Sequence, residues 1–329
     1  MSKRLFPLVV AVIFSAALGC AHHFGESRPS QVAVFVAPIL EDSLIRHWAP
    51  VFVIPDYQEP HNRIGRPSAR ITPDGREEVY VDPGNPVIYV MEKDFATEKR
   101  NYTNLVYRVH FSEVPFSLIP FHLTAGKNVG IVVVITLDSE KRPVLVTTAG
   151  TCGCYAAIVP TTFLPNHAFP DSWNREKPLE VYGETLPAVL ELPEAEDPKF
   201  LIHIRPDVHR VRHLEVVSFE KWRRKSSCEA VRTSLEPMDA LEELPLNGET
   251  TSFYYPHWPL KGHVKGSIKP WETLSLSLIS LDLFVGMDKV YGESGDTGNP
   301  FYTSLKPWNR DESDMWEFSR FLEFNGWRL

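Results

Sequence analysis

VGIVVVITLDSEKRPVLVTTAGTCGCYAAIVPTTFLP, residues Val129 to Pro165, is the stretch on which the reading of the chain turns. Its first half is the most apolar, β-branched run in the sequence, a polar turn follows at Asp138 to Arg142, and a second apolar run begins at Pro143. Residues of this kind fit a pleated surface, and near-continuous apolar character predicts strands buried on both faces. The second run leads into the closely spaced pair Cys152-Gly153-Cys154, so the centre of the core and the sharpest chemical handle fall together.

The flanking sequence reads as further strands and loops. Gln31 to Pro38 and Pro50 to Pro55 are brief β-like runs bounded by prolines. Glu77 to Val81 and Val87 to Met91 bracket the turn Asp82-Pro83-Gly84-Asn85-Pro86. Asn104 to Phe111 alternates as a half-buried strand, with Leu105, Tyr107, Val109 and Phe111 on one side. Pro115 to His122 is apolar but irregular, and Phe200 to Arg205 with Val211 to Phe219 makes another antiparallel pair.

Phe219 to Leu244 is the best helical candidate, in pieces broken at Pro237. Glu272 to Phe284 alternates at Leu274, Leu276 and Leu278 and then slips by one, which predicts a long strand with a bulge. Ser313 to Asn325 predicts a C-terminal amphipathic helix capped by Ser313 and ended by Gly326. The sum is a strand-dominated α+β fold with antiparallel sheets and that terminal helix; a β-sandwich is the alternative. Residues 31–329 read as one large β-rich domain, with a possible sub-boundary at 191–198.

The first twenty residues carry an address. Lys3 and Arg4 precede an apolar run from Leu5 to Leu18, too short to span a bilayer as a helix. The ending Ala17-Leu18-Gly19-Cys20 resembles the lipobox of bacterial lipoproteins. That resemblance covers residues 1–20 alone. It implies cleavage before Cys20, acylation of that cysteine with diacylglycerol and a fatty acid such as palmitate, and attachment to a lipid bilayer. Residues 21–30 then form a tether. Ala21 in place of an aspartate implies the outer membrane, so the expected location is the cell envelope, facing the periplasm or the surface.

Charge excludes one class of partner. Removing Lys3 and Arg4 from the 34 basic residues leaves 32 against 42 acidic ones, a net charge of −10. The densest basic run, Lys221 to Lys225, is short, so no nucleic acid is expected.

Four cysteines minus Cys20 leave Cys152, Cys154 and Cys228, an odd number in an oxidising compartment. Four arrangements stay open: Cys152 bonded to Cys154, either bonded to Cys228, all three with a histidine around zinc or copper, or three buried thiols. His110 and His122 flank the segment before the central hairpin and are the candidate histidines. A Cys-Gly-Cys pair also suits thiol–disulfide exchange, although the usual Cys-x-x-Cys opening a helix is absent. No nucleophile elbow, zinc-protease or phosphate-loop motif is present, and Glu293 to Asn299 lacks EF-hand spacing. The expected function is therefore an envelope-anchored binding or structural module, with another envelope protein as a candidate partner, rather than an enzyme; thiol redox or soft-metal handling at the cysteine pair is the alternative.

Overall fold

The structure is a computed structural model and describes residues 31–37, 43–193 and 197–329. Cys20, the tether 21–30 and part of the 191–198 stretch lie outside the described residues. The described residues open with strands β1 (Val32–Val36), β2 (Val51–Pro55), β3 (Arg66–Ile71), β4 (Glu77–Asp82) and β5 (Val87–Ala96). The long central strands follow: β6 (Asn101–Val114), β7 (Gly126–Leu137), β8 (Pro143–Gly150) and the short β9 (Ala157–Pro160). Beyond the hairpin β10 (Leu179–Val181) and β11 (Glu184–Leu186) come β12 (Pro198–Arg205), β13 (Arg210–Ser218) and helix α1 (Phe219–Lys225). Strands β14 (Glu229–Arg232) and β15 (Ser234–Pro237) precede helices α2 (Pro270–Ser280) and α3 (Phe318–Phe324).

Two sheets stack. The larger has the order β15-β5-β6-β7-β8-β9 and the smaller β13-β12-β2-β1-β14. Most neighbours are antiparallel, while β5–β15, β2–β12 and β1–β14 pair in parallel. Val129 to Pro165 supplies most of β7, all of β8 and the edge strand β9 of the larger sheet, and β7 pairs with β6 so that Val106 faces Val134 and Val109 faces Ile131. Alternation along β6 and β7 then feeds two cores. Leu105, Tyr107, Val109 and Phe111 join Ile131 and Val133 against Phe52 and Ile202 of the smaller sheet. Val106, Val132 and Val134 face the other way, toward Phe253, Tyr291, Phe301 and α3. Strand β6 is thus buried on both faces, because a C-terminal layer covers the side that alternation alone assigned to solvent.

Three other expectations change. Glu272 to Phe284 is not a bulged strand: Pro270 to Ser280 is the helix α2, with Pro270 in its first turn, where a missing N–H and a fixed φ cost nothing. Its Leu–Ser alternation mimics a period of two, but Ser275 and Ser280 turn their hydroxyls back to the carbonyls of Trp271 and Leu276 (2.8 and 2.9 Å). The Phe219 to Leu244 helix shortens to α1; Glu229–Arg232 and Ser234–Pro237 instead cap exposed edges of the two sheets. The terminal helix is real but shorter than its pattern, with Glu317 rather than Ser313 at its start. Phe318, Phe321 and Leu322 are its buried face, and Trp327 and Leu329 dock beside them.

Candidate functional site

Strand β8 ends at Gly150, and the chain turns at once. The Gly153 N–H donates to the Gly150 carbonyl (2.8 Å), and the Gly150 N–H to that of Cys154 (3.0 Å). Thr151 N–H donates to the Gly130 carbonyl of β7 (3.0 Å), which ties this turn to the sheet. Gly153 has φ +86°, and a Cβ there would run into the carbonyl oxygen of Tyr302. Only glycine allows that backbone conformation and that approach together. Within this turn Cys152 and Cys154 are disulfide-bonded to each other. Of the four arrangements, the structure has the first.

Behind the disulfide lies a buried polar layer supplied by residues 267–289. Lys289 donates its backbone N–H to the Thr151 carbonyl (2.8 Å) and its ammonium to the Cys152 carbonyl (2.7 Å). Burial lowers Lys289 to about 8. Its neighbour Asp288 accepts the Thr151 hydroxyl and lies 2.9 Å from the Lys269 ammonium. Arg108, fully buried in β6, donates to the Lys289 carbonyl (2.8 Å) and to Nε2 of His110 (2.9 Å).

In front of the disulfide is a cavity of about 350 Å³. Its apolar walls come from Phe121, Val208, Leu276, Val285 and Leu305. Its polar lining includes His122, Arg210, Glu272 and Tyr302. Two of these groups are incompletely satisfied: Arg210 Nε and Glu272 Oε2 are buried without a hydrogen-bond partner among the described residues. Burial pushes the Glu272 carboxyl above its ordinary value, and burial likewise pushes up the Tyr302 hydroxyl, which donates to Asp282. Gly286, at φ +85°, leaves the room that the Glu272 carboxyl occupies.

Sequence reasoning named Cys152, Cys154 and His122, and these do meet at the cavity. Cys152 is buried and Cys154 half-buried; His122 Nδ1 sits 2.9 Å from the Pro115 carbonyl. His110 does not reach the cavity. It is sealed in the polar layer beneath Phe253, where burial, with Arg108 adding, drives its imidazole well below the ordinary value. Cys228 is unbonded and packs on the outer face of the smaller sheet beside Val34 and Phe219. The three-thiol zinc or copper set is therefore not assembled, and among the described residues no three His, Cys, Asp or Glu side chains are grouped to hold a metal ion.

Glu272, Lys289 and Arg210 were missed. Glu272 was hidden by the strand reading of its segment. Asp288-Lys289 did leave a trace, as a charged pair set between the apolar residues Met287 and Val290. Comparison with protein-family models, curated proteins and solved structures finds no match to this chain.

Proposed function

We propose that this chain is an envelope-tethered binding lipoprotein, held to a bilayer through acylated Cys20, whose cavity takes a small amphiphile. The observation that carries this reading is a largely apolar cavity lined also by Arg210 and Glu272, each of which keeps one buried polar atom, Nε and Oε2, without a partner among the described residues, while the far side of the Arg210 guanidinium lies 3.5 Å from Glu184. Leaving a buried polar group unpaired costs about 1–3 kcal/mol. A ligand offsets that cost if the Arg210 and Glu272 side chains turn to an acceptor and to a hydroxyl or amine that it brings, with its apolar body against Leu276 and Val285. The disulfide acts here as a rigid wall. The lipobox-like ending at Cys20 supports the tether.

The test is titration of the full chain with the fluorescent amphiphile anilinonaphthalene sulfonate. Wild type is expected to bind it saturably, Leu276→Trp to abolish binding by filling the cavity, and Glu272→Ala to weaken it. Equal binding by wild type and Leu276→Trp sinks the reading.

One observation favours a second reading, thiol–disulfide exchange: Cys154 is half-buried on the cavity wall and Cys152 lies behind it. A thiolate of a partner dithiol would attack Cys154 Sγ and break the Cys152–Cys154 bond, and Cys152 would leave as a thiolate. The partner's second thiol would then resolve the mixed disulfide, giving an oxidised partner and a reduced pair. If mild reductant opens the disulfide while the chain stays folded, this reading gains; if it opens only on unfolding, the disulfide is a wall alone.

A further inference from the structure

Helix α2 faces the wrong way for a helix in water. Its buried residues are Glu272 and Ser280, while Leu274, Leu278 and Ile279 stand exposed, Leu278 at 85%. Leu281 and Leu283 continue the surface past its end. A second element joins it: Phe116 and Phe121 lie 6.1 and 5.9 Å from Trp271, ring centre to ring centre, and between them Leu118 and Ile119 project outward. Solvent-facing apolar area that is this continuous marks a surface made for another apolar phase.

We propose that this collar docks on a lipid bilayer, so that the cavity opens toward the membrane. Phe121 and Leu276 belong to the cavity as well as to these two elements, so the cavity mouth sits inside the collar. The proposal rests on the tethered-lipoprotein reading for one point, proximity. Described residues begin at Gln31, and the chain from Cys20 to that point spans at most roughly 40 Å. A bilayer is then the apolar phase always within reach.

The chemistry of the surface fits that occupant. Pro115 to Phe121 contains no charged residue, and Pro270 to Leu283 contains only two. Both turn inward: Glu272 lines the cavity, and Asp282 accepts the Tyr302 hydroxyl with Arg310 3.9 Å away. Ser275, on the exposed side, donates its hydroxyl back to the Trp271 carbonyl, which removes a donor from the surface. Trp271 adds the amphipathic ring that favours the membrane–water interface.

The test reconstitutes the full-length chain into phosphatidylcholine vesicles with brominated acyl chains. The Trp271 contribution is read as the difference in emission between wild type and Trp271→Phe. Bromine is expected to extinguish that contribution, and Leu278→Glu with Leu281→Glu to restore it while the chain stays attached by its anchor. Unchanged Trp271 emission in an attached, folded chain overturns the proposal and leaves a protein partner as the cover of the collar. The intact mass of the same sample reads acylation of Cys20 separately. With Cys20 unmodified the tether reading fails, and the collar is then judged on the same chain added to excess vesicles: quenching of Trp271 upholds docking, and its absence overturns it.

Discussion

Within residues 267–289 the usual order of a folded chain is reversed. Lys269, Glu272, Asp288 and Lys289 are buried, while Leu274, Leu278, Leu281 and Leu283 are exposed. Charged side chains are rarely buried unless paired. Here Lys269 meets Asp288, and Lys289 meets the Cys152 carbonyl. The contrast with β7 is instructive. That strand buries aliphatic residues on both faces and specifies the fold; this segment spends its leucines outside and holds charge beneath the disulfide. A core needs only apolar volume, but a site needs polar groups held in place, and those are worth keeping only if they do something.

The largest expected effect comes from breaking the buried side of that contrast. Asp288→Ala strands Lys269 without its carboxylate and takes away the acceptor of the Thr151 hydroxyl. Removing one partner of a buried ion pair typically costs about 3–5 kcal/mol, and urea unfolding will read it. A loss below about 1 kcal/mol would mean that the layer is solvated and the contrast false.

Acid should find a second weakness in the same layer. His263 is held near 4 by burial, with Lys289 adding; its Nε2 accepts from Asn299 Nδ2 at 2.9 Å and needs to be neutral to do so. An unfolded histidine titrates near 6.5, so between about 6.5 and 4 the unfolded chain binds more protons and stability falls as pH falls. The contribution is roughly 3 kcal/mol at about 1.4 kcal/mol per unit, and His263→Gln should flatten the slope of unfolding free energy against pH in that window. An unaltered slope would assign acid sensitivity elsewhere, His209 being the next candidate, since burial holds it near 3.

Gly153→Ala should cost somewhat less, roughly 2 kcal/mol, through its positive φ and the clash with Tyr302. Because Tyr302 lines the cavity, the same variant is expected to lower amphiphile affinity. The smallest effect belongs to the exposed side. Leu278→Ser should change the stability of the detergent-solubilised chain by no more than about 0.5 kcal/mol. A large loss there would show that the leucine packs internally and is no part of a docking surface.

How much of this was legible in the sequence depended on where the determinants lay. Strands β6 to β8 were legible because β-branched runs and a polar turn are local signals, as was the docked C-terminal helix. Helix α2 was not, because a helix with its apolar side outward has no buried stripe to betray it, and alternating Leu and Ser satisfies a strand pattern instead. The disulfide was one of four arrangements the spacing allowed. Its cavity was invisible, because Arg210, Glu272 and Tyr302 come from segments far apart in the chain and only the tertiary fold brings them to Cys152 and Cys154.

The central claim, that the cavity before Cys152–Cys154 holds a ligand, is tested most directly by native mass spectrometry of the full-length chain extracted from membranes. The account predicts a bound small molecule on wild type that is missing from Leu276→Trp, while both proteins show the same unfolding transition. No adduct on either protein, or the same adduct on both, would contradict it.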